Sequence, residues 1–537
     1  MAQRVCIIGG GVIGLATAYA LVRDGFEVTV IEARPTLGSQ TSFANGGQLS
    51  YRYVAPLADA GVPWQAMGWM LRGDSPLKLR PRMDPAQWRW LASFVAACRG
   101  SVNQRNGAHL LRLALLSQAT LQQWREEDQL DGFAWQRNGK LVAFRERGNF
   151  EKARKKVIHS SFQQALTAGE CASLEPGLQG SSFIGGIYTP SEEVGDCHGF
   201  CQQLAARLQA SGRCTFMLGK TVTRLRHANG AVQAVEMGDE VLAVDQLVLA
   251  AGHNSPALRL PGLHLPLYPL KGYSLTLALT DPQKAPQVSI TDYDRKIVYA
   301  RIGEQLRIAA MVDIVGFDPA PDPKRLAQMR QLASSTFPDA GNYQTAIEWA
   351  GMRPATPSGV PILGASGYRN LWLNLGHGAL GFTLACGSGR LLSELIAQRK
   401  TSIDMQGLAA WVRHPVHKES PMTIQRINSN DRLSAAATFE ALVFLSGQVP
   451  TQSEDITAQT QEVLSKIDAL LAEAGSDKDH IVNATLYLQN IQRDFAAMNA
   501  VWSAWLSAGK APTRTTLQAE LARPEVLVEI SVIAVRH

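Results

Sequence analysis

The chain has 537 residues, of which 46% are hydrophobic and 18% charged, and its formal net charge is +6. This composition provides for two or three domains with apolar cores, excludes a disordered chain, and argues against a nucleic-acid partner because the densest basic run is short, at 152–156. Seven scattered cysteines without a Cys-x-x-Cys pair argue against a disulfide framework or structural zinc, and the lack of an apolar leader or an 18-residue apolar run predicts a cytoplasmic protein, at most peripheral on the inner face of the cytoplasmic membrane.

The first elements of the chain predict a nucleotide-binding sheet. Apolar strands at 5–8 and 27–31 flank a periodic apolar helix at 13–22. Both strands are rich in Val and Ile, which is typical of buried parallel strands. A further apolar strand at 246–251 lies where doubly wound sheets return over their ligand. We therefore predict an α/β fold with a doubly wound parallel sheet.

The middle of this first domain predicts a different structure. Helical patterns at 88–98 and 110–124 precede short strands at 140–144 and 187–188, and alternation typical of antiparallel strands runs from 271 to 311. These elements indicate a mixed α+β substrate domain inserted into the nucleotide-binding one. The nucleotide-binding parts are then expected at about 1–60, 190–260 and 345–400 of a first domain that spans 1–414.

The segment from Gly9 to Gly14 has the spacing Gly-x-Gly-x-x-Gly between the first strand and the helix. The first glycine permits a tight turn, the second lets a pyrophosphate approach the backbone, and the third lets the helix pack on the strand. Glu32, after the second strand, can accept hydrogen bonds from a ribose, and it would repel a 2′-phosphate. We therefore predict a dinucleotide site rather than a structural β-α turn. The contacts expected from this motif are Gly9, Gly11, Val12, Ile13 and Gly14.

Four later segments resemble the FAD-dependent D-amino-acid dehydrogenase group of the glycine oxidase and D-amino-acid oxidase superfamily. They are Thr41–Ser50 (TSFANGGQLS), Tyr268–Ser274 (YPLKGYS), Gly351–Pro357 (GMRPATP) and Leu375–Thr383 (LGHGALGFT). The resemblance runs in order over about 1–414 and implies FAD as the cofactor, with the first and last segments around the flavin. The further cofactor contacts that it implies are Ser42, Asn45, Gln48, Val222, Gly252, Gly378, Gly381 and Thr383.

Oxidation of an amino acid at FAD needs a cation that holds the α-carboxylate while the Cα–H points at the flavin. Arg353 has this place in the resemblance, and a guanidinium is always charged and can bind a carboxylate bidentately. Tyr53 and Tyr273 are candidate hydroxyl partners for the carboxylate or the amine, with packing as the alternative for each. We expect His377 to contribute through its backbone, and Asp196 to cap a helix rather than bind a metal.

A change of composition separates a second domain from the first. Two prolines and several charged side chains at 415–422 cannot build a core, so we predict a linker there. From 423 to 537 the pattern predicts an α+β domain with one sheet packed under two helices. The predicted elements are strands at 423–427, 441–446 and 481–488, two more strands up to 535, and helices at 456–474 and 495–506.

The second domain resembles the Rid (YjgF-type) imine/enamine deaminase family, which has a chorismate-mutase-like fold. The resemblance rests on Phe444–Pro450 (FLSGQVP), Ala511–Arg514 (APTR) and Val528–Ile530 (VEI). It implies trimers with clefts between subunits, in which Arg514 binds the carboxylate of a 2-imino acid and Glu529 positions water or carries a proton. From spacing alone, an Arg–Glu pair that joins adjacent strands is an equal alternative. Arg432-Leu433-Ser434 replaces the family's aromatic residue, which leaves turnover in this domain open.

Together, the two resemblances imply a bifunctional enzyme. Its first domain would oxidise a D-amino acid to a 2-imino acid with FAD, and its second domain would hydrolyse the imine to a 2-oxo acid and ammonia. The alternative is a glycine, sarcosine or cyclic-amine oxidoreductase whose second domain only trimerises or binds a ligand. The sequence leaves open the electron acceptor (a quinone, the respiratory chain or oxygen) and the preferred side chain of the substrate.

Overall fold

The computed structural model describes residues 4–59, 61–62, 75–408, 424–439, 441–451 and 454–536. The chain divides into two compact units, Met1–Pro415 and Val416–His537. The predicted linker at 415–422 lies outside the described residues. Of the helices that the structure describes, none is both long and apolar enough to span a bilayer.

Strands and helices are numbered in chain order. The strands of the first unit are β1 (Arg4–Ile8), β2 (Glu27–Glu32), β3 (Gln48–Leu49), β4 (Leu77–Leu79), β5 (Lys140–Phe144), β6 (Gln164–Thr167), β7 (Gly185–Thr189), β8 (Glu193–Val194), β9 (Cys214–Leu218), β10 (Arg224–Ala228), β11 (Ala231–Met237), β12 (Glu240–Ala243), β13 (Gln246–Leu249), β14 (Tyr268–Ala278), β15 (Ser289–Asp292), β16 (Ile297–Ile302), β17 (Gln305–Ile314), β18 (Ile347–Ala355), β19 (Ile362–Ala365) and β20 (Leu371–Leu375). Its helices are α1 (Val12–Arg23), α2 (Pro85–Ala97), α3 (Gly100–Asp128), α4 (Arg147–Val157), α5 (Ala168–Leu174), α6 (Cys197–Ala210), α7 (Pro323–Ser334) and α8 (Gly381–Ile396).

The part predicted to bind a nucleotide contains a six-stranded sheet in the order β19-β20-β13-β1-β2-β9, parallel except for β19. The central strand β1 carries Ile7, which is fully buried because helices cover one face of the sheet. Helix α8 packs closely on α1, where a Cβ added to Gly389 would lie 2.7 Å from the Ala16 carbonyl oxygen. The three-stranded sheet β10–β12 covers part of the second face of the six-stranded sheet. The predicted α/β class is confirmed.

The predicted substrate domain is built on a larger, mostly antiparallel sheet in the order β18-β14-β17-β16-β15-β5-β7-β6, with β4 beside the end of β17. Strand β14 is buried from Tyr268 to Leu277, because it lies between β17 and β18. The mixed α+β substrate domain predicted from the sequence is therefore present.

The second unit is an α+β domain, as predicted. Its sheet has the order β21-β22-β23-β26-β24-β25, and two helices cover one face. The sequence pattern missed the alanine-rich β22, which has few of the branched side chains that mark a strand. The elements are β21 (Gln425–Ser429), β22 (Ser434–Phe439), β23 (Leu442–Gln448), β24 (Ile481–Leu488), β25 (Thr513–Gln518), β26 (Val528–Val535), α9 (Ile456–Glu473) and α10 (Ile491–Trp505).

Candidate active site

A cavity of about 1310 Å³ lies in the first unit, where the carboxyl ends of the parallel strands meet the large sheet of the substrate domain. Its wall includes residues that follow β1, β2, β13 and β20, together with side chains from β14, β17 and β18. Ligands of open α/β sheets bind at this carboxyl edge. Predicted site residues from both parts of the first domain therefore meet in one cavity.

The glycine loop has the geometry that a dinucleotide needs. Gly9 has φ +116°, and a Cβ there would lie 2.4 Å from the Ala250 carbonyl oxygen. A Cβ on Gly14 would lie 1.9 Å from the Gly9 carbonyl oxygen, so this glycine lets α1 approach β1. At Gly11 the nearest atom to an added Cβ is Ser42 Oγ at 3.5 Å, which leaves room on the cavity side. The three glycines thus fit the three roles predicted from the motif.

Glu32, the predicted ribose contact, lines the cavity at the end of β2, and its carboxylate accepts hydrogen bonds from Gly10 N at 2.7 Å and Arg34 N at 2.9 Å. Val222 and Gly252 line the same cavity. Ser42 Oγ accepts a hydrogen bond from Val12 N at 3.0 Å, so this N–H of the helix is already bound by the protein. Ile13 follows on the cavity wall.

The loop around Asn45 and Gln48 is fixed by hydrogen bonds to distant elements. Asn45 Oδ1 accepts from Gly47 N at 3.1 Å, which closes a local turn. Gln48 Nε2 donates to the carbonyl oxygens of Ile290 and Tyr299, at 3.1 and 3.3 Å, and this bonds the loop to the large sheet. The Gln48 amide is therefore oriented before any ligand binds.

The start of α8 forms the opposite wall. Gly378 has φ +54°, and no atom lies within 4 Å of an added Cβ, so its open side faces the cavity. Gly381 is the first residue of α8, and Thr383 Oγ1 accepts a hydrogen bond from Ser50 N at 3.2 Å. The N-terminus of α8 thus supplies N–H groups and the positive end of a helix dipole at this wall.

Arg353 is half-buried on the cavity wall, on β18. Its Nη1 donates to the Met311 carbonyl oxygen at 3.0 Å, at a register shift of β17 where Met311 has φ +68°. The guanidinium lies over Gly272, where an added Cβ would be 2.3 Å from Arg353 Nη2. Burial lowers the pKa of Arg353 to about 10 and Asp313 opposes this, so the side chain is charged at neutral pH. Among the described residues no carboxylate oxygen lies within 4 Å of it.

The two predicted tyrosines differ in their surroundings. The Tyr273 hydroxyl donates to Asp313 Oδ2 at 2.9 Å, and Arg325 Nη2 binds the other oxygen of this buried carboxylate at 2.6 Å. Burial raises the pKa of Tyr273, with a further contribution from Asp313. The packing alternative considered for Tyr273 fits this arrangement. Tyr53 lies half-buried on the cavity wall, and burial raises its pKa as well.

Two buried ionisable residues of this wall, Lys140 and His377, were given no side-chain role in the sequence analysis. Lys140 lies at the start of β5 and is only 2% exposed. The sequence signal that could have found it is its place at the start of an apolar strand. His377 was expected to act through its backbone, which bridges to Ala355, and burial lowers the pKa of its imidazole to about 3. His377 Nε2 is buried without a hydrogen-bond partner in the described structure, so it remains available to a ligand in the cavity.

No metal centre accompanies this cavity in the part of the chain that the structure describes. Asp196, which lies in an acidic and cysteine-containing segment, caps α6 by accepting hydrogen bonds from His198 N and Gly199 N at 3.3 and 3.1 Å. This is the helix-capping role predicted from the sequence.

In the second unit, Arg514 and Glu529 lie on opposite faces of the sheet. Arg514 pairs in register with the buried Ala484, and its Nη1 donates to Asn499 Oδ1 of α10 at 2.8 Å. Glu529 points away from the helices, between two fully buried neighbours on β26, and lies against Gly447. Strand β24 separates the two strands that carry them. Within one copy of the unit, Arg514 and Glu529 therefore form no common site. They also form no ion pair between adjacent strands.

Comparisons with known proteins agree with this architecture. The chain is 68% identical over 408 residues to D-amino acid dehydrogenase 2 of Pseudomonas aeruginosa, which covers 76% of this chain and 98% of that protein. It is 44% identical over 418 residues to D-amino acid dehydrogenase 2 of Ralstonia nicotianae, and this match covers 75% of this chain and 98% of that protein. Glycine oxidase from Geobacillus kaustophilus shares the fold, with a TM-score of 0.60 at 22% identity over 77% of this chain and 100% of that one.

Two family descriptions match the chain. The Endoribonuclease L-PSP family, which is the YjgF/Rid type, matches residues 423–536 and confirms the resemblance of the second domain. The FAD dependent oxidoreductase family matches residues 4–395. The chain belongs to the FAD dependent oxidoreductase family, and the predicted cofactor FAD is confirmed.

Proposed function

We propose that this FAD dependent oxidoreductase removes two electrons and a proton, as hydride, from the Cα of a D-amino acid and releases a 2-imino acid. The observation that carries the proposal is the guanidinium of Arg353, charged and without a carboxylate partner in the described structure, on the wall of the cavity that the dinucleotide loop also lines. Its two similar relatives named above are D-amino acid dehydrogenases.

The roles of the protein groups follow from their positions. Arg353 would bind the substrate carboxylate, because a planar guanidinium forms two parallel hydrogen bonds to it. Its bond to the Met311 carbonyl oxygen fixes the guanidinium before the substrate arrives. Bound FAD supplies the acceptor for the hydride. The substrate amine has to be neutral at this step, because its lone pair becomes part of the imine bond.

The test is bleaching of the flavin absorbance without oxygen, with D-amino acids, L-amino acids, glycine and sarcosine compared side by side. We expect D-amino acids to reduce the flavin fastest, and Arg353→Met to lose roughly 10- to 100-fold in kcat/KM, since a hydrogen bond to a charged group contributes about 1.5–3 kcal/mol. Arg301→Met is the matched control, because Arg301 is a half-buried arginine of the same sheet outside the cavity. Faster flavin reduction by glycine or sarcosine would instead support the alternative of a glycine, sarcosine or cyclic-amine oxidoreductase. Oxygen uptake compared with quinone reduction then separates an oxidase from a dehydrogenase.

We further propose that the second unit hastens hydrolysis of the imine to a 2-oxo acid and ammonia. Its support is the YjgF/Rid family match over 423–536 and the presence of Arg514 and Glu529 at the positions of that pattern. Because these side chains lie on opposite faces of the sheet in one copy, the proposal requires a second copy, as in a trimer with clefts between subunits. Covalent linkage of the two units raises the local concentration of one site near the other.

The test of this second step is trapping of the imine by semicarbazide during turnover. With an active second unit, Arg514→Ala and Glu529→Gln raise the trapped fraction while flavin reduction stays unchanged, and the intact protein has the mass of a trimer. A specific observation favours the noncatalytic alternative, since the Arg514 guanidinium is bonded to Asn499 and lies 5.7 Å from the Trp502 ring centre. Equal trapping in wild type and both variants would support that alternative.

A further inference from the structure

Lys140 is a buried cation on the cavity wall that the proposed oxidation does not use. It opens β5, is 2% exposed, and its Nζ donates to Gln48 Oε1 at 2.6 Å and Ser50 Oγ at 2.8 Å. The same Nζ lies 4.8 Å from the centre of the Tyr53 ring. Thr383 binds the Ser50 backbone from the other side. Lys140 is thus fixed in place by hydrogen bonds rather than extended towards solvent.

Lys140 forms no direct ion pair with a carboxylate among the described residues. Within the described residues, no carboxylate oxygen lies within 4 Å of Lys140 Nζ, although Glu192 lies near enough to favour its charged form. Burial lowers the pKa of Lys140 to about 8, so the side chain is still mostly protonated at neutral pH. Removing an ammonium from water without a carboxylate in direct contact costs several kcal/mol. A ligand in the cavity that brings negative charge would offset this cost.

The position of Lys140 indicates which part of the cofactor brings that charge. A dinucleotide with its ribose at Glu32 and its pyrophosphate at the glycine loop has its adenosine end beside the ends of β1 and β2. Its ring end then lies further along the cavity, whose wall also includes Lys140 and Thr383, both hydrogen-bonded to Ser50. Hydride transfer adds two electrons and one proton to the ring, so a neutral ring gains one negative charge.

We propose that Lys140 stabilises the negative charge of the reduced cofactor ring and thereby raises the midpoint potential of the bound FAD. Lys140 is a positioning residue in addition, because its hydrogen bonds orient the Gln48 amide and the Ser50 hydroxyl. Since oxidised FAD has a neutral ring, Lys140 should favour reduced over oxidised cofactor. The proposal rests on FAD binding and requires no particular substrate.

The experiment measures the midpoint potential of the full-length holoprotein by equilibration with a redox dye, and the affinity for sulfite, which forms an anionic adduct with flavin. Lys140→Gln keeps a hydrogen-bonding group without charge, Lys140→Met keeps only the shape, and Lys140→Arg keeps the charge. We expect both neutral variants to shift the equilibrium towards oxidised FAD at least tenfold, which is about 30 mV for a two-electron couple. Sulfite should bind them at least tenfold more weakly, and Lys140→Arg should stay near wild type.

Lys220→Met is the matched control, because Lys220 also lines the cavity but is paired with Glu240. It should leave the potential unchanged. Four outcomes would overturn the proposal. They are an unchanged potential in both neutral variants, equally weaker binding of oxidised and reduced FAD at an unchanged potential, weaker binding of a carboxylate inhibitor at an unchanged potential, and an equal shift in all three Lys140 variants. The second would assign Lys140 to the pyrophosphate, the third to the substrate, and the fourth to packing.

Discussion

The position of the Arg353 guanidinium can be tested without removing its charge. Gly272 lies directly under it, and a Cβ added there would be 2.3 Å from Arg353 Nη2 and 2.4 Å from Cζ. Gly272 has no positive φ, so alanine is allowed by the backbone at this position. Because Arg353 is a flexible side chain and an ordinary contact needs 3.4 Å or more, Gly272→Ala should move the guanidinium by about 1 Å while the strands stay in place.

The expected magnitude follows from what this shift breaks. The guanidinium would lose its bond to the Met311 carbonyl oxygen and its alignment with a bound carboxylate. A misplacement of about 1 Å in a positioned group can cost roughly 100-fold in rate. We therefore expect kcat/KM for D-amino acids to fall roughly 10- to 100-fold in Gly272→Ala, and the affinity for a carboxylate inhibitor to fall with it.

The assay is stopped-flow reduction of the flavin without oxygen, with FAD content and circular dichroism as checks of folding. Gly148→Ala is the control, since no atom lies within 4 Å of its added Cβ on α4. If Gly272→Ala binds FAD and reduces it with kcat/KM within twofold of wild type, Arg353 does not hold the substrate carboxylate. Arg353→Met provides the second measurement if Gly272→Ala fails to fold.

Three other perturbations test the surroundings of the site. Gly14→Ala should lower the melting temperature even of the apoprotein, because its Cβ would meet the Gly9 carbonyl oxygen at 1.9 Å. Gly11→Ala should leave that melting temperature unchanged and weaken FAD binding, because its Cβ has room beside the cavity. Equal melting temperatures for the two apoproteins would contradict this. Tyr273→Phe should lower the free energy of unfolding by about 1 kcal/mol and leave KM unchanged, since its hydroxyl binds Asp313; a tenfold higher KM would place that hydroxyl at the substrate. Burial raises the pKa of Glu192 to about 7, so the folded state holds a proton that the unfolded chain releases, and the free energy of unfolding falls as pH rises from about 4.3 towards 7. Glu192→Gln should flatten this slope in urea denaturation curves, and an unchanged slope would show that Glu192 does not cause it.

Local pattern was sufficient for much of the fold. The strands at 140–144 and 481–488 have the predicted bounds, and the helix predicted at 13–22 is α1 with two more residues. These elements follow from the side-chain periodicity of a few consecutive residues, which decides the face that can be buried. The glycine loop was equally predictable, because Gly9 and Gly14 meet steric demands made by the strand beside the loop and by the loop itself, and Gly11 leaves room beside the cavity.

The chemistry of the site depended on the tertiary structure. Lys140 finds its acceptor on Gln48, 92 residues earlier in the chain, and no local pattern records that contact. Arg514 and Glu529 are close in sequence, yet β24 lies between their strands, and the alternation of side chains sends them to opposite faces. Periodicity and steric fit are properties of neighbouring residues, whereas the order of strands in a sheet brings together segments that the chain separates. For this reason the sequence by itself determined where the cofactor loop, the sheets and the two domains lie, and only the folded chain decided which charged side chains have partners.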